Sequence, residues 1–186
     1  AAFQDLGFFG NSGTSIENEI GILTSRSLME RVVKDLELFA SYYEEGRVKT
    51  SEIFREQLPF VITFSADEER LYSQDTLFKV NVLSAGHFEL IDKEGAPTGT
   101  HAFGEKIATA FGSMTLTPRL LETPFVPREV LVRLQPFSSS VSGLRTNLTV
   151  SAAGKKGSLL HLNFRCLVPS KGEAILNHLI AQYNTD

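Results

Sequence analysis

The most regular alternation of apolar and polar residues runs from Leu160 to Val168. The even-numbered positions are apolar, and the odd-numbered positions between them begin with three polar residues, His161, Asn163 and Arg165. A period of two predicts a β-strand with one buried face. Pro169 has no N–H to donate to a neighbouring strand, so the strand is expected to end there.

A helical pattern follows this strand directly. Ser170 is a candidate N-cap, and Glu173 stands three residues later, where it would complete a capping box. The residues that then recur at helical spacing and form one apolar stripe are Gly172, Ile175, Leu176, Leu179, Ile180 and Tyr183. A strand that leads into an amphipathic helix predicts a helix packed across a sheet.

The N-terminal third predicts a second helical region. Residues 1–13 combine four large apolar side chains with three glycines, which is typical of an irregular segment that docks on a core or on a neighbouring chain. Thr14 and Glu17 form a possible capping box. The apolar stripe behind it continues to Leu36, with a possible break between Thr24 and Ser27.

The middle of the chain is dominated by short alternating segments. The predicted strands are Phe39–Tyr43, Val48–Phe54, Phe60–Phe64, Leu77–Leu83, Phe88–Ile91, Met114–Thr117, Glu129–Gln135 and Asn147–Ala152. Asp67–Arg70 is predicted to be a charged turn, and Gly95–Gly112 a loop with one short element near Lys106. Ser138–Leu144 is predicted to be a short helix. Together these elements predict an α+β fold, a mainly antiparallel or mixed β-sheet with amphipathic helices packed on it.

Length and charge restrict the classes of protein that fit. A chain of 186 residues is expected to form one domain, 1–186. The net charge of −4 argues against binding of nucleic acid or of an anionic membrane, for which a basic face is expected. The single cysteine, Cys166, excludes an internal disulfide. No stretch has the roughly 18 consecutive apolar residues of a membrane span. Both ends look cut, so we expect a soluble piece of a longer protein.

The residue types of catalysis and metal binding are present, but no motif joins them. The four histidines, His87, His101, His161 and His178, are far apart in sequence and form no metal-binding pattern. Cys166 falls on the apolar face of its strand, which favours a buried small side chain over a nucleophile. Adjacent carboxylates at Asp67, Glu68 and Glu69, and at Asp92 and Glu94, are better explained as solvated turns than as a cation site. We therefore predict no catalytic, cofactor-binding or metal-binding residue.

Two segments resemble the Wzz-type chain-length determinant family, the polysaccharide co-polymerases, which includes the Wzc-like tyrosine autokinases. The first is Ile16–Leu38, whose pattern "ENEI..L.SR.L...VV..L.L" is similar to that of the family's first helix. The second is Pro169–Asn184, in which the matching residues are Pro169, Ala174, Ile175, Leu176, Asn177, Leu179 and Tyr183. The strands between the two segments match only at the level of pattern.

The resemblance implies the periplasmic domain of a bacterial inner-membrane protein. Its flanking spans, long coiled-coil helices and any cytoplasmic kinase would lie outside this chain. The implied function is non-enzymatic assembly that regulates the chain length or export of capsular, O-antigen or exopolysaccharide. The implied partners are further copies in a homo-oligomer, the polymerase and export machinery, and nascent polysaccharide. In that case the outward faces of the helix Ile16–Leu36 and of the C-terminal helix are candidate subunit contacts, and Gly172 and Ala174 would permit close approach.

Two alternatives stay open on the sequence. One is a carbohydrate-binding module without a membrane anchor, although the absence of tryptophan argues against a strong sugar site. The other is a small hydrolase built from His101, His161 and carboxylates, which predicts a bound metal.

Overall fold

The computed structural model of the chain describes residues 11–46, 49–119, 127–154 and 159–185. The helices are α1 (Asn11–Leu23), α2 (Arg26–Asp35), α3 (Glu68–Tyr72), α4 (Phe137–Asn147) and α5 (Pro169–Tyr183). The strands are β1 (Ala40–Glu45), β2 (Thr50–Ile53), β3 (Phe60–Ser65), β4 (Thr76–Val82), β5 (His87–Ile91), β6 (Pro97–Ala102), β7 (Lys106–Thr109), β8 (Gly112–Pro118), β9 (Arg128–Leu134), β10 (Leu148–Ala152) and β11 (Leu160–Phe164). The α+β prediction is confirmed, and every described strand pair is antiparallel.

The chain divides into two compact units. One takes its described residues from Ala1–Leu36 and Val141–Asp186, and the other is Glu37–Ser140. Helix α4 crosses the sequence boundary between them. The prediction that 1–186 forms a single domain stays a prediction.

The central unit is built from two antiparallel sheets. The larger has six strands in the order β2-β1-β9-β4-β5-β6, and the smaller has three in the order β3-β8-β7. One apolar cluster joins their inner faces, with Val80, Val130 and Val132 from the large sheet and Phe60 and Leu116 from the small one, all fully buried. Full burial of each such side chain stabilises the fold by roughly 1.5–3 kcal/mol. The alternating strands predicted for the middle of the chain therefore form the two layers of this core.

The other unit contains the strand predicted from the alternation at Leu160–Val168 and the helix predicted to follow it. Strands β10 and β11 form a two-stranded sheet, with Val150 opposite Leu162. Helix α5 buries Gly172, Ile175 and Leu179. The prediction of a helix packed against a strand is confirmed here, because a Cβ atom on Gly172 would lie 3.9 Å from Cδ1 of Phe164 on β11.

Two predicted irregular segments contain regular structure. Asp67 does not lie in a simple turn, since its carboxylate accepts hydrogen bonds from the backbone N–H groups of Glu69 and Arg70 and caps α3. An Asp followed by two Glu residues is a helix start favoured by the dipole, and the short length of α3 concealed it. The predicted loop Gly95–Gly112 contains β6, which was not predicted, and β7, which confirms the short element predicted near Lys106. Glycines at positive φ, such as Gly104, form the turns between these strands.

The predicted helix caps were partly wrong. Helix α5 begins at Pro169 with Val168 as its N-cap, so the capping box of Ser170 and Glu173 does not form. Proline at the first helical position needs no N–H partner, which explains the earlier start. Helix α1 begins at Asn11, three residues before the predicted cap at Thr14. The predicted break near Ser25 is confirmed, because its hydroxyl accepts from the Leu28 N–H and caps α2.

The segments outside the described residues include 1–10, 47–48, 120–126 and 155–158. The expectations that fall partly on them are the docking of the apolar segment 1–13, a hairpin tip at Glu44–Arg47, a proline-containing loop after Pro118 and a turn at Ala153–Gly157. Among the described helices, none combines the length and the apolar character that crossing a bilayer requires.

Candidate functional site

The four histidines do not converge on a common site. His87 and His101 lie on neighbouring strands, but His101 pairs with Phe88, so the two histidines point to opposite faces of the sheet. His161 is exposed on β11. His178 lies on α5, where its Nε2 is 2.9 Å from Oδ2 of Asp35 on α2. Each histidine therefore has its own structural setting.

His101 has a local structural role at the end of β6. Its Nδ1 lies 3.1 Å from Oε1 of Glu105, and its ring packs against Phe88 at 5.8 Å between centroids. The hydrogen bond with His101, and a second from the backbone N–H of Ala102, lower the pKa of Glu105. These contacts close the turn that follows β6.

The remaining candidate residues are also dispersed. Cys166 was predicted to be a buried residue of its strand, but it lies two residues beyond the end of β11 and is half-buried beside α5. Asp92 accepts hydrogen bonds from the backbone N–H groups of Glu94 and Ala96, which is the geometry of a turn. Among the described residues, no group of three or more His, Cys, Asp and Glu side chains is placed to hold a metal ion. The prediction of no catalytic, cofactor or metal residue stays a prediction.

A surface formed by β10 and β11 is the first candidate for binding. We call these two strands with their flanking residues Ala153, Leu159 and Arg165 the ribbon, because hydrogen bonds from Ala153 to Leu159 and from Arg165 to Asn147 extend the ladder at both ends. In the part of the chain that the structure describes, no third strand pairs with it. A two-stranded antiparallel sheet is only marginally stable in water by itself.

The outward face of the ribbon is open to solvent. Leu159, His161, Asn163 and Arg165 are exposed in alternation, and Thr149 and Ser151 are exposed on β10. Leu159 is 69% exposed, and Leu167, three residues beyond β11, is 93% exposed. Among the described residues these two leucines are the most exposed large apolar side chains, so they offer the most apolar surface for a partner to cover.

The ribbon differs in charge from the rest of the chain. From Leu148 to Val168 the sequence contains three Lys or Arg residues and no Asp or Glu. The whole chain has 18 basic and 22 acidic residues, so the remainder has 15 basic and 22 acidic residues, a net charge of −7. An acid-free segment in an acidic chain is electrostatically suited to an acidic partner surface.

The second candidate is the face of the six-stranded sheet that points away from the core, which we call the open sheet face. Its middle row contains Tyr43, Leu131, Lys79 and Ile91, aligned across four neighbouring strands. All four side chains are half-exposed. The face therefore offers accessible apolar surface between its charged groups.

Carboxylates are the more numerous charges on the open sheet face. Its charged residues are Glu45, Glu52, Glu89, Glu129, Lys79 and Arg133, four acidic and two basic. The Lys79 ammonium group donates a hydrogen bond to Oε1 of Glu129 at 2.8 Å and lies 3.5 Å from Oε1 of Glu45. The hydrogen bond to Glu129 is the main cause of the raised pKa of Lys79. Glu89 lies between Asn81 and Thr100 on the neighbouring strands, away from this network.

The sequence pattern of the ribbon also indicates a binding surface, although only secondary structure was inferred from it. The alternation over β11 correctly separates the inward from the outward face, and the missing carboxylates are visible in the sequence. The open sheet face was harder to find, because its residues come from five strands whose order cannot be read from local pattern. Only the observed register brings Glu45, Glu89 and Glu129 together.

Comparisons with known proteins identify no family for this chain. No family model matches it, and no curated protein matches it. Among solved structures, FlgL of Xanthomonas campestris matches in two crystal forms, with 16% and 18% identity and TM-scores of 0.31 and 0.28. The matches cover 77% and 78% of this chain but 40% and 44% of the FlgL chains, so the chain spans less than half of their length. Similarity at these TM-scores supports no transfer of fold or function.

The predicted membership of the Wzz-type family is contradicted: no family model and no curated protein matches the chain, and the solved structures that match are of FlgL. The predicted role in the chain length or export of a polysaccharide is withdrawn with it. The residues behind the resemblance explain the error. Positions such as Leu28, Val32, Ile175 and Leu179 are the buried stripes of α2 and α5, and such stripes mark helix packing in many unrelated folds.

Proposed function

We propose that this chain is a non-catalytic assembly module that binds a further copy of itself through the ribbon. The observation that carries the proposal is the ribbon's outward face, which ends in the exposed side chains of Leu159 and Leu167. Self-association covers these side chains and adds support to a sheet of only two strands.

The apolar ends of the ribbon supply the driving force. Burying one leucine side chain contributes roughly 1.5–3 kcal/mol, and an association must first offset the loss of translational and rotational freedom. Two leucines alone do not provide that free energy, so the polar residues between them are also part of the contact. His161, Asn163 and Arg165 supply hydrogen-bond donors there.

Charge favours a second copy as the occupant. The ribbon segment contains no carboxylate, whereas the remainder of the same chain has a net charge of −7 from 15 basic and 22 acidic residues. A copy of this chain therefore provides acidic surface that complements the ribbon. Steering by such complementary charge increases the rate of association and weakens as salt is added.

Sedimentation equilibrium of the full chain tests the proposal. We expect concentration-dependent association of the wild-type chain between about 10 μM and 1 mM, the range of a moderate interface. The double variant Leu159→Ser/Leu167→Ser should raise the dissociation constant at least about tenfold, as loss of two buried leucine contacts implies. The control is Val61→Ser, which removes an apolar side chain that is 40% exposed on β3, outside the ribbon.

Circular dichroism of all three proteins establishes that they are folded alike. A wild-type chain that is monomeric at about 1 mM and low salt overturns the proposal. Association that is equally weakened by Val61→Ser overturns the assignment to the ribbon.

A further inference from the structure

We infer that the ribbon of one copy docks on the open sheet face of the next copy, in a head-to-tail arrangement. This inference rests on the proposed function and adds the identity of the receiving surface. The contact it describes is between different regions of two identical chains, with Arg165 of one copy facing the carboxylates around Glu89 of the other.

Charge complementarity is the first argument. The ribbon's outward face carries His161 and Arg165 and no acidic residue. The open sheet face carries four carboxylates and two basic side chains. Lys79 is already engaged by Glu129 and Glu45, at 2.8 and 3.5 Å. Glu89 is half-exposed on β5, so its carboxylate is accessible to a cation from outside.

Apolar complementarity is the second argument. The open sheet face presents the half-exposed side chains of Tyr43, Leu131 and Ile91 in one row across the strands. The ribbon presents Leu159 and Leu167 beyond the two ends of its polar stretch. Both surfaces therefore combine apolar side chains with charged ones, as specific interfaces do.

The dimensions of the two surfaces agree. The six residue steps from Leu159 to Arg165 span about 20 Å at a rise of roughly 3.3 Å per residue. The five spacings between the six strands of the large sheet total about 24 Å at roughly 4.8 Å each. A ribbon laid across the strands thus fits within the width of the sheet.

The arrangement is heterologous, since each copy binds one neighbour through its ribbon and another through its open sheet face. Such contacts either close into rings or continue as open chains. A ribbon that instead paired with the ribbon of a second copy would be isologous and would stop at a dimer. The assembly is therefore expected to contain species larger than a dimer.

Charge reversal distinguishes these arrangements. Arg165→Glu places like charges in the contact, and so does Glu89→Arg. Each variant alone should raise the dissociation constant about tenfold or more at low salt, as is common for opposed charges in an interface. An equimolar mixture of the two should associate again, because the carboxylate introduced at position 165 of one variant faces the guanidinium introduced at position 89 of the other, and the reverse contact is wild-type. The control is Glu56→Arg, which makes the same charge change at an exposed position outside both surfaces.

The outcomes separate this inference from the proposed function. Association weakened by Arg165→Glu but not by Glu89→Arg overturns the open sheet face as the receiver while the ribbon remains the contact. Failure of the mixture to associate, with both variants folded, also overturns it. A monomeric wild-type chain overturns the proposed function itself.

Discussion

Oδ2 of Asp35, in the last turn of α2, lies 2.9 Å from Nε2 of His178 in the middle of α5. The side-chain amide of Gln182, one turn further along α5, donates a second hydrogen bond to the same oxygen at 2.8 Å. A carboxylate at a helix C-terminus interacts unfavourably with the helix dipole. The two hydrogen bonds offset this cost and join α2 to α5 next to their shared apolar contact.

Replacement of Asp35 by alanine is therefore expected to destabilise the chain. Loss of two hydrogen bonds to a partly exposed carboxylate should lower the free energy of unfolding by about 0.5–1.5 kcal/mol, measured by urea denaturation at pH 7. The matched control is Glu30→Ala, which breaks only the exposed pair with Arg26 within α2. This control should cost about 0.3–0.5 kcal/mol. If Asp35→Ala is as stable as the wild type, the link between α2 and α5 contributes nothing.

The sequence predicted the elements better than their connections. Alternation in Phe60–Phe64 and Glu129–Gln135 located β3 and β9, because each has one buried face. The pairing of β9 with both β1 and β4 involves residues far apart in the sequence, such as Ala40 and Leu134, and leaves no local trace. The contact between Asp35 and His178 also joins residues far apart in the sequence, and no local pattern predicts it.

The segment Gly95–Gly112 shows why local pattern failed in one region. Its four glycines suggested a loop, but each strand there is short and only half-buried, so the alternation is weak. The glycines are needed at the turns. Gly104 and Gly112 both have positive φ, which lets β6, β7 and β8 reverse direction within a few residues.

Gly112 is predicted to be the glycine least tolerant of substitution in the described part of the chain. Its φ is +133°, and an added Cβ atom would lie 2.6 Å from the Cβ atom of Ala66 and 2.9 Å from its Cα atom. The backbone of β8 would have to move to relieve this overlap. Gly112→Ala should lower the free energy of unfolding by about 2–4 kcal/mol in urea denaturation, since overpacking and an unfavourable backbone angle act together.

Gly143 provides the comparison, because it lies within α4 and an added Cβ atom would meet nothing within 4 Å. Gly143→Ala should raise the free energy of unfolding by about 0.5–1 kcal/mol through helix propensity. Similar stability changes in the two variants would contradict the assigned role of Gly112.

Glu37 is predicted to make the stability of the chain depend on pH. It has a φ of +52°, which is unusual for a residue other than glycine. Desolvation raises the pKa of its carboxyl group above the ordinary value of 4.5. Its charge in turn adds to the effect of burial in raising the pKa of Tyr42. The ionised form of Glu37 is thus less favourable in the folded state than in the unfolded state.

The direction of the pH dependence follows from this raised pKa. The folded state holds the proton of Glu37 more tightly than the unfolded state, so the stabilising contribution of the protonated group is complete below the ordinary value of 4.5. It is lost as the pH rises through the folded-state pKa. Glu37→Gln keeps the shape of the side chain and removes its charge. The free energy of unfolding of this variant should therefore exceed that of the wild type at about pH 7, with the difference disappearing towards about pH 4. Urea denaturation across this pH range measures it, and a difference that stays constant or grows as the pH falls contradicts a raised pKa for Glu37.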